Sequence, residues 1–449
     1  MVGQQSCCWT KVSRLNKTRE PLEGQPDSTA ESEPRTGIFR LFGKGVVTGA
    51  ADDDPSAIGT YSSAGAAFGL KILWIAPVLL PMMYVVVYLS AKIGQVYGKG
   101  LFACIRDQFP RWVLAPLAIL AVAGNLIGAA ADLGGIGAAL NLLVPLPVPL
   151  LVLGAAAAIL AIQTLGSYTL VNRLFRWLAL ALFAYVAAAV LARPDPLEVL
   201  RSTVVPRIEL SARFLSLLVA CIGTALSAYI YTWQSNQEVE EEIALGRRRL
   251  WQRKGATRVE MKRTSREVVT GMIFANVVLY SIILATGATL HPAGVTRVET
   301  AAQAAAALEP VAGTAAKYLF AAGIVGVGFL AVPVLTTGAA YNVVQSLGRH
   351  GTLHDQPEHS KLFYGIIAAV TVLATAMNFL GFNPMEALVW SGIVQGFSVP
   401  PLLLIMMLLT NSRRVVGART NSRSTNILGW ITTVVTFLCA AALVVSWFR

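Results

Sequence analysis

Three consecutive carboxylates interrupt an apolar stretch near the start of this chain. Asp52, Asp53 and Asp54 are followed at once by Pro55, with small and apolar residues on both sides. A carboxylate at membrane depth costs about 2.5–3.5 kcal/mol on insertion scales, and a proline removes a backbone donor and breaks a helix. A broken helix with a carboxylate at the break is how membrane transporters build a cation site. The alternative is a solvated loop, with the membrane helix starting only at Leu70.

A second polar interruption lies further along the chain, in the apolar stretch 211–235. Gly223, Thr224 and Ser227 stand where a lipid-facing helix would have Leu or Ile. Small and hydroxyl side chains also pack helices together in membrane bundles, so this run alone does not separate a site from packing. Together with the acidic break it indicates an inverted-repeat transporter, because such proteins carry interrupted segments at matching positions of two halves.

The composition shows which elements must position these residues. Of 449 residues, 55% are hydrophobic and 13% are charged, against about 25% charged in soluble domains. The mean hydropathy is +0.61. The chain is therefore expected to be an all-α polytopic membrane protein, and apolar stretches of spanning length predict about eleven transmembrane helices. Their approximate bounds are 45–68, 71–97, 112–143, 147–167, 170–192, 211–235, 268–290, 314–347, 361–381, 385–410 and 427–448.

The charges indicate the domain organisation and the orientation. Residues 1–36 are polar and predict a disordered cytoplasmic tail before a transporter domain of residues 37–449. The net charge of +12 comes mostly from connections between apolar stretches, so it indicates topology and not a nucleic-acid partner. The positive-inside rule then places the N-terminus in the cytoplasm and, with an odd span count, the C-terminus outside the plasma (inner) membrane. The basic residues on the predicted inner side include Arg106, Arg111, Arg173, Arg176, Arg247, Arg349 and Arg413.

The residues around the first break resemble a known family. Asp54–Ala57 is similar to the Asp-Pro-Gly-Asn signature of the Nramp divalent-metal transporters, and Ala91–Lys99 and Ala131–Gly135 also fit the family pattern. The resemblance covers about residues 38–448 and is most specific in the first two helices. It implies a leucine-transporter-like fold of five plus five helices, in which helices 1 and 6 are broken. The implied segments are inverted repeats at about 45–192 and 211–410 and an extra helix at 427–448.

The resemblance also implies a metal site between the two broken helices. In the family, an Asp, an Asn, a Met sulfur and a backbone carbonyl hold the ion. Here Asp54 keeps the carboxylate, Ala57 stands at the Asn position and Ser227 replaces the Met. The other matched positions are Thr224 for the carbonyl donor, Ala228 for a Pro, Tyr229 for a His near the site, Gly135 for a Glu of the third span, and Asp132 for an Asp of a possible inner pathway.

These departures favour a hard cation. A thioether prefers later transition metals, whereas hydroxyl, carboxylate and carbonyl oxygens suit Mg²⁺, Ca²⁺ and Mn²⁺. Mg²⁺ usually keeps several waters, and Ala57 leaves the room for them. We therefore expect alternating-access transport of partly hydrated Mg²⁺ and Mn²⁺, as in the Nramp-related magnesium transporter branch. The ion is the substrate, no cofactor is expected, and the lipid-embedded protein is expected to be a monomer.

The nearest alternative is a proton-coupled Mn²⁺/Fe²⁺ symporter of the Nramp type. Against it, Tyr229 is a poor proton carrier at neutral pH, because a phenol ordinarily titrates near about pH 10. A sodium-coupled amino-acid transporter shares the fold, but the acidic break opposes a carboxylate substrate. An enzyme would usually show a nucleophile beside a base or metal-ligand spacing, and neither is apparent. All four histidines lie in or beside predicted connections: His291, His350, His354 and His359.

Several polar groups keep two interpretations. Asp52 and Asp53 either line a vestibule that concentrates cations or hold backbone amides at the break. Ser56 is either a ligand or, as we favour, a hydroxyl that stabilises the break. The acidic run 238–242 is expected to be a solvated face joined by salt bridges to the basic run that follows, with a metal-sensing cluster as the alternative. Asn125 and Asn378 are expected to be interhelical hydrogen-bond partners.

Overall fold

Every regular element that the computed structural model describes is a helix, as predicted for an all-α membrane protein. The predicted tail at 1–36 and most of the predicted span 170–192 lie outside the described residues, as do Arg173, Arg176, His350 and His354. The described residues are 44–165, 182–349, 351–353 and 358–448.

The first half of the chain begins with a broken helix. Helix α1 (Lys44–Asp52) and helix α2 (Pro55–Phe68) take the place of the single predicted span 45–68. Helix α3 (Ile75–Lys92) continues into one π-helical turn at Ile93–Tyr97. The helices that follow are α4 (Leu101–Gln108), α5 (Arg111–Asn141), α6 (Val148–Leu165) and α7 (Phe183–Leu191).

The second half contains the second broken helix, formed by α9 (Ala212–Ala225) and α10 (Ala228–Ala244). Helix α12 begins at Arg258, ahead of the predicted start at 268, because Thr257 and Glu260 form a capping box there. The other helices are α8 (Pro196–Val204), α11 (Leu250–Arg253), α12 (Arg258–Thr289), α13 (Ala301–Ala306), α14 (Glu309–Ala312), α15 (Ala316–Ser346), α16 (Lys361–Met377), α17 (Pro384–Asn411), α18 (Arg413–Val416) and α19 (Arg423–Trp447).

Eight helices in the described residues are long and apolar enough to cross a membrane. The α1–α2 pair is not among them because each half is too short alone, and α6 is a shorter apolar helix. These two bring the described spans close to the predicted eleven. The fifth predicted span is the one that lies mostly outside the described residues.

Polar side chains join the long helices, as predicted for both asparagines. Asn125 on α5 donates a hydrogen bond to the carbonyl of Leu335 on α15 over 3.0 Å. Asn378, just after α16, donates to the carbonyl of Ala130 on α5 over 2.9 Å. Helix α5 is thus fixed on two sides. It can therefore hold Asp132, which projects from its buried face, in one position.

Gly223 is a packing residue. A Cβ atom there would collide with the backbone of Gly392 and Gly396 on α17. The absent side chain lets α9 and α17 approach until their backbones touch, as small residues do in membrane bundles. Of the two interpretations of the second interruption, packing therefore holds for Gly223.

Candidate functional site

The first break is a helix start built by Asp54 and Pro55. Asp54 adopts an extended conformation (φ −65°, ψ 173°), and its Oδ1 atom accepts a hydrogen bond of 2.6 Å from the N–H of Ala57. Pro55 is the first residue of α2, where its missing N–H costs nothing. The local sequence therefore ends α1 at Asp52 and restarts the helix at Pro55, with a carboxylate in the two-residue gap.

Asp132 reaches the same gap from α5. Its Oδ1 atom accepts hydrogen bonds from the N–H of Ser56 at 3.0 Å and from the Ser56 hydroxyl at 2.6 Å. The N–H and the hydroxyl hydrogen of Ser56 thus both hold the start of α2, which supports the break-stabilising interpretation. The Oδ2 atom of Asp132 is buried and has no hydrogen-bond partner in the described residues. Its place on an inner pathway stays a prediction.

The second break lies between α9 and α10, at Leu226 and Ser227. The Ser227 hydroxyl donates to the carbonyl of Thr224, one turn earlier. The Tyr231 hydroxyl donates to the carbonyl of Leu226 over 2.5 Å. Hydroxyl groups therefore satisfy two of the carbonyls that the helix break frees. The Oγ1 atom of Thr224 is buried without a partner in the described part of the chain.

Tyr229 joins the two breaks. Its hydroxyl lies 2.6 Å from the carbonyl oxygen of Ala51, at the end of α1, and 2.9 Å from Oδ2 of Asp54. A phenol has one hydrogen, so it cannot donate fully to both oxygens. The structure thus places Tyr229 directly on the carboxylate and brings the two predicted halves of the site together.

The carboxylates at the break are buried and unpaired. Asp52 and Asp53 are each 2% exposed, and Asp54 and Asp132 are 0% exposed. The solvated-loop alternative is therefore wrong. One oxygen of Asp52 and one of Asp53 have no hydrogen-bond partner among the described residues, and both interpretations of these side chains stay predictions. No ion pair joins any of the four to a basic side chain in that part of the chain.

The donors around the break are oxygens. Ala57 contributes a methyl group and an N–H that is already bonded to Asp54, so it is no ligand through its side chain. Within the described ranges, no three His, Cys, Asp or Glu side chains converge as a metal-binding group. The oxygen donors at the two breaks include the carboxylate of Asp54, the carbonyl of Thr224 and the hydroxyls of Ser227 and Tyr229. Such a donor set suits a hard cation.

A polar chain that sequence reasoning missed leads away from the breaks. The Thr48 hydroxyl on α1 donates to Oε1 of Gln234 on α10 over 3.1 Å, and Nε2 of Gln234 donates to Glu238 over 2.8 Å. All three residues are buried. The signal in the sequence was Gln234, a long amide near the end of the predicted span 211–235. Its partner on α1 could not be foreseen because the two are 186 residues apart.

The acidic run on α10 is not a solvated face. Glu238, Glu240 and Glu242 are 6–7% exposed. Glu240 accepts a hydrogen bond of 2.7 Å from the Tyr341 hydroxyl on α15. Glu242 pairs with Arg247 over 2.6 Å, so the salt-bridge part of the expectation is confirmed. The expectation of solvation fails because α15 packs on α10 at Glu240, and the π-helical turn after α3 packs on it at Glu238.

Comparison with known proteins agrees with this geometry. The family model described as natural resistance-associated macrophage protein-like (Nramp) matches residues 45–446. The chain is 27% identical over 415 residues to the divalent metal cation transporter MntH of Deinococcus radiodurans, covering 89% of this chain and 88% of the relative. It is 26% identical over 428 residues to MntH of Bacillus subtilis, covering 92% and 93%.

Solved structures show the same fold. A crystal structure of the Eremococcus coleocola manganese transporter matches with a TM-score of 0.69 at 17% identity, over 93% of this chain and 90% of that one. The closed conformation of Mhp1, a nucleobase-cation-symport-1 family transporter, matches with a TM-score of 0.52 at 14% identity, over 92% and 93%. These likenesses confirm the predicted leucine-transporter-like fold with two broken helices.

Proposed function

The chain belongs to the Nramp family, and on that premise we propose that it is a membrane transporter of divalent cations, carrying partly hydrated Mg²⁺ and Mn²⁺ by alternating access without proton coupling. One observation carries the proposal. Four buried carboxylates surround the first break with no basic side chain paired to them in the described residues. Carboxylate charge buried in this way is strongly unfavourable unless a cation or a bound proton compensates it.

The chemistry of the donors supports the choice of ions. The position that carries a Met in the family is Ser227, whose hydroxyl is already within hydrogen-bond distance of the Thr224 carbonyl. Without sulfur, the site has no soft ligand that would prefer later transition metals over Mg²⁺. Mn²⁺ is acceptable to the same oxygens, and the names of the relatives, divalent metal cation transporter and manganese transporter, support its inclusion.

The hydrogen bonds at the breaks suggest how an ion would be taken up. An arriving cation would compete with the Tyr229 proton for Oδ2 of Asp54 and with the Ser227 proton for the carbonyl of Thr224. Because the ion keeps part of its water shell, those waters would donate to the freed oxygens. The hydroxyls lose these hydrogen bonds when the ion binds and regain them when it leaves. The free-energy difference between the ion-bound and ion-free states therefore stays small.

Neither the histidine nor the third-span glutamate of the family pattern stands at the breaks, and this supports uncoupled flux. Tyr229 stands at the family's His position, and Gly135 stands at that of the Glu. Of the two histidines in the described residues, His291 contacts the carbonyl of Ala66 beyond the far end of α12, and His359 lies in a connection. The rival function, a proton-coupled Mn²⁺/Fe²⁺ symporter, has no proton carrier of this kind available.

We propose the following arrangement for the protein in its membrane. It acts as a monomer in the plasma membrane, with the N-terminus in the cytoplasm and the C-terminus outside. Inverted repeats at about 45–192 and 211–410 would rock against each other around the breaks, and the helix at 427–448 would lie outside that motion. The ion is the substrate, and no resident cofactor is involved.

Uptake into liposomes tests the proposal. Purified protein is reconstituted, Mg²⁺ or Mn²⁺ is added outside, and lumenal metal and pH are followed together. We expect both ions to enter without acidification, and Asp54→Ala to abolish the entry of both. Mn²⁺ uptake without Mg²⁺ uptake and with lumenal acidification would contradict the proposal and support the symporter.

A further inference from the structure

A cavity of about 730 Å³ opens between α5 and α15, away from the breaks. Two arginines, Arg106 and Arg111, line one part of it, and apolar side chains of α5 line most of the rest. It is open to the surroundings of the protein, since Ile119 in its wall is 70% exposed. The cavity is therefore amphipathic, with positive charge confined to one end.

The length of the cavity matches one leaflet of a bilayer. Its wall on α5 runs from Arg111 to Val122, which at 1.5 Å per residue is about 16 Å. Half of a hydrocarbon core is about 15 Å. Trp112, next to the charged end, is 77% exposed, and exposed tryptophans in membrane proteins mark the level of the lipid headgroups. The charged end thus lies at headgroup level and the apolar wall at acyl-chain level.

The charged end of the cavity has hydrogen-bond donors that are not used by other described residues. Arg111 is exposed and makes no ion pair or hydrogen bond with any described residue. Arg106 is partly used, at 3.3 Å from both Oδ1 of Asp107 and the carbonyl of Gln345. The hydroxyl of Ser346, which follows Gln345, also lines the cavity and has no partner within the described part of the chain.

We propose that this cavity binds an anionic phospholipid of the leaflet on the basic side of the protein. The phosphate lies between the Arg111 guanidinium and the Ser346 hydroxyl, and one acyl chain runs along α5 toward Val122. Basic pockets between transmembrane helices take anionic headgroups in this way. Only a molecule with both a charged head and a leaflet-long tail fills both parts of the cavity. Because α5 also carries Asp132, such a lipid would contact the helix that anchors the first break.

Native mass spectrometry of the full-length protein tests the proposal. Protein is released from mixed phosphatidylglycerol and phosphatidylcholine vesicles, and retained lipid is counted for wild type and four variants. Arg111→Gln removes the free charge, and Ala115→Trp fills the apolar wall. Arg423→Gln is the control for charge, since it removes an exposed arginine from the start of α19, outside the cavity. Ala158→Trp is the control for bulk, since this exposed residue of α6 lies outside the cavity as well.

We expect wild type to retain phosphatidylglycerol preferentially. Arg111→Gln should lower that preference about fivefold, as expected for about 1 kcal/mol per basic residue at a membrane surface. Ala115→Trp should reduce retention of the lipid altogether, and both controls should behave as wild type. Equal retention of the two lipids, or an equal loss with Arg423→Gln, would overturn the proposal. So would a change in oligomeric mass with Ala115→Trp at unchanged lipid retention, because a second copy would then cover the cavity.

Discussion

Replacing Asp54 by Asn separates its charge from its structural role. Asn caps a helix about as well as Asp, so the hydrogen bond from Ala57 survives the change. The same change can be made at Asp195, which also precedes a proline and caps α8 through the N–H of Leu197 at 3.0 Å, but is exposed. Asp195→Asn is therefore a matched control that leaves the breaks untouched.

The size of the effect follows from burial. Asp54 is 0% exposed, and removing one partner of a buried charge pair costs about 3–5 kcal/mol. The dissociation constant for the ion should therefore rise more than about a hundredfold. At a metal concentration of about 100 times the wild-type Kd, stabilisation by binding would fall from about 2.7 to about 0.4 kcal/mol. With about 2.1 cal/mol/K of unfolding entropy per residue, the metal-induced rise in Tm would drop by about 2–3 °C for a chain of this length.

Thermal unfolding in detergent with and without Mg²⁺ measures this directly. Wild type and Asp195→Asn should show the full metal-induced rise, and Asp54→Asn almost none. Without metal, Asp54→Asn should be at least as stable as wild type, because one of four unpaired buried charges is gone. The reasoning is refuted if Asp54→Asn keeps the metal-induced rise, or if its metal-free Tm falls well below that of wild type.

Three further predictions concern neighbouring groups. Ser227→Met introduces a soft ligand, so competition uptake should shift toward Mn²⁺ over Mg²⁺ by about tenfold or more; an unchanged ratio would contradict the role given to this position. Ser56→Ala removes the hydroxyl bond to Asp132 but keeps the N–H bond, so unfolding should become easier by about 1.5–3 kcal/mol, and Ser56→Thr should restore most of it. Partial burial favours neutral Asp107, but Lys99 at 2.5 Å outweighs this and lowers the pKa of the carboxyl. The small contribution of Asp107 to the free energy of unfolding is present above the pKa of an unfolded aspartate, about 3.9, and is lost as the pH falls through the lower folded pKa. Asp107→Asn should therefore flatten the dependence of stability on pH only below about pH 4.

The breaks were predictable because they violate a local rule. Asp and Pro do not occur together in a lipid-facing helix without a reason, so Asp54 and Pro55 identified the first break to the residue. The second break was harder to place within 211–235, because its start signal is only a serine. The evidence for it was the first break, which lies at the matching position in the other half of the chain.

Long-range contacts were not predictable. Glu240 looked solvated because nothing in its neighbourhood along the chain suggests a partner, and its hydrogen bond comes from Tyr341, 101 residues away. The same holds for the role of Tyr229. Its position came from the family pattern, but its simultaneous approach to Ala51 and Asp54 depends on how two helices pack, and no single-sequence periodicity encodes that.

Pro55, the first residue of α2, lies close to Gly135 on α5. This close packing limits which side chains position 135 can carry. A Cβ at Gly135 would lie 3.3 Å from Cβ of Pro55 and 3.3 Å from the Leu388 side chain. A glutamate at Gly135, where the family pattern has one, would therefore require the Leu388 side chain or the start of α2 to shift by a few tenths of an ångström. Any side chain at position 135 would therefore press on the first residue of α2, so a substitution there would change the geometry of the first break as well as its chemistry.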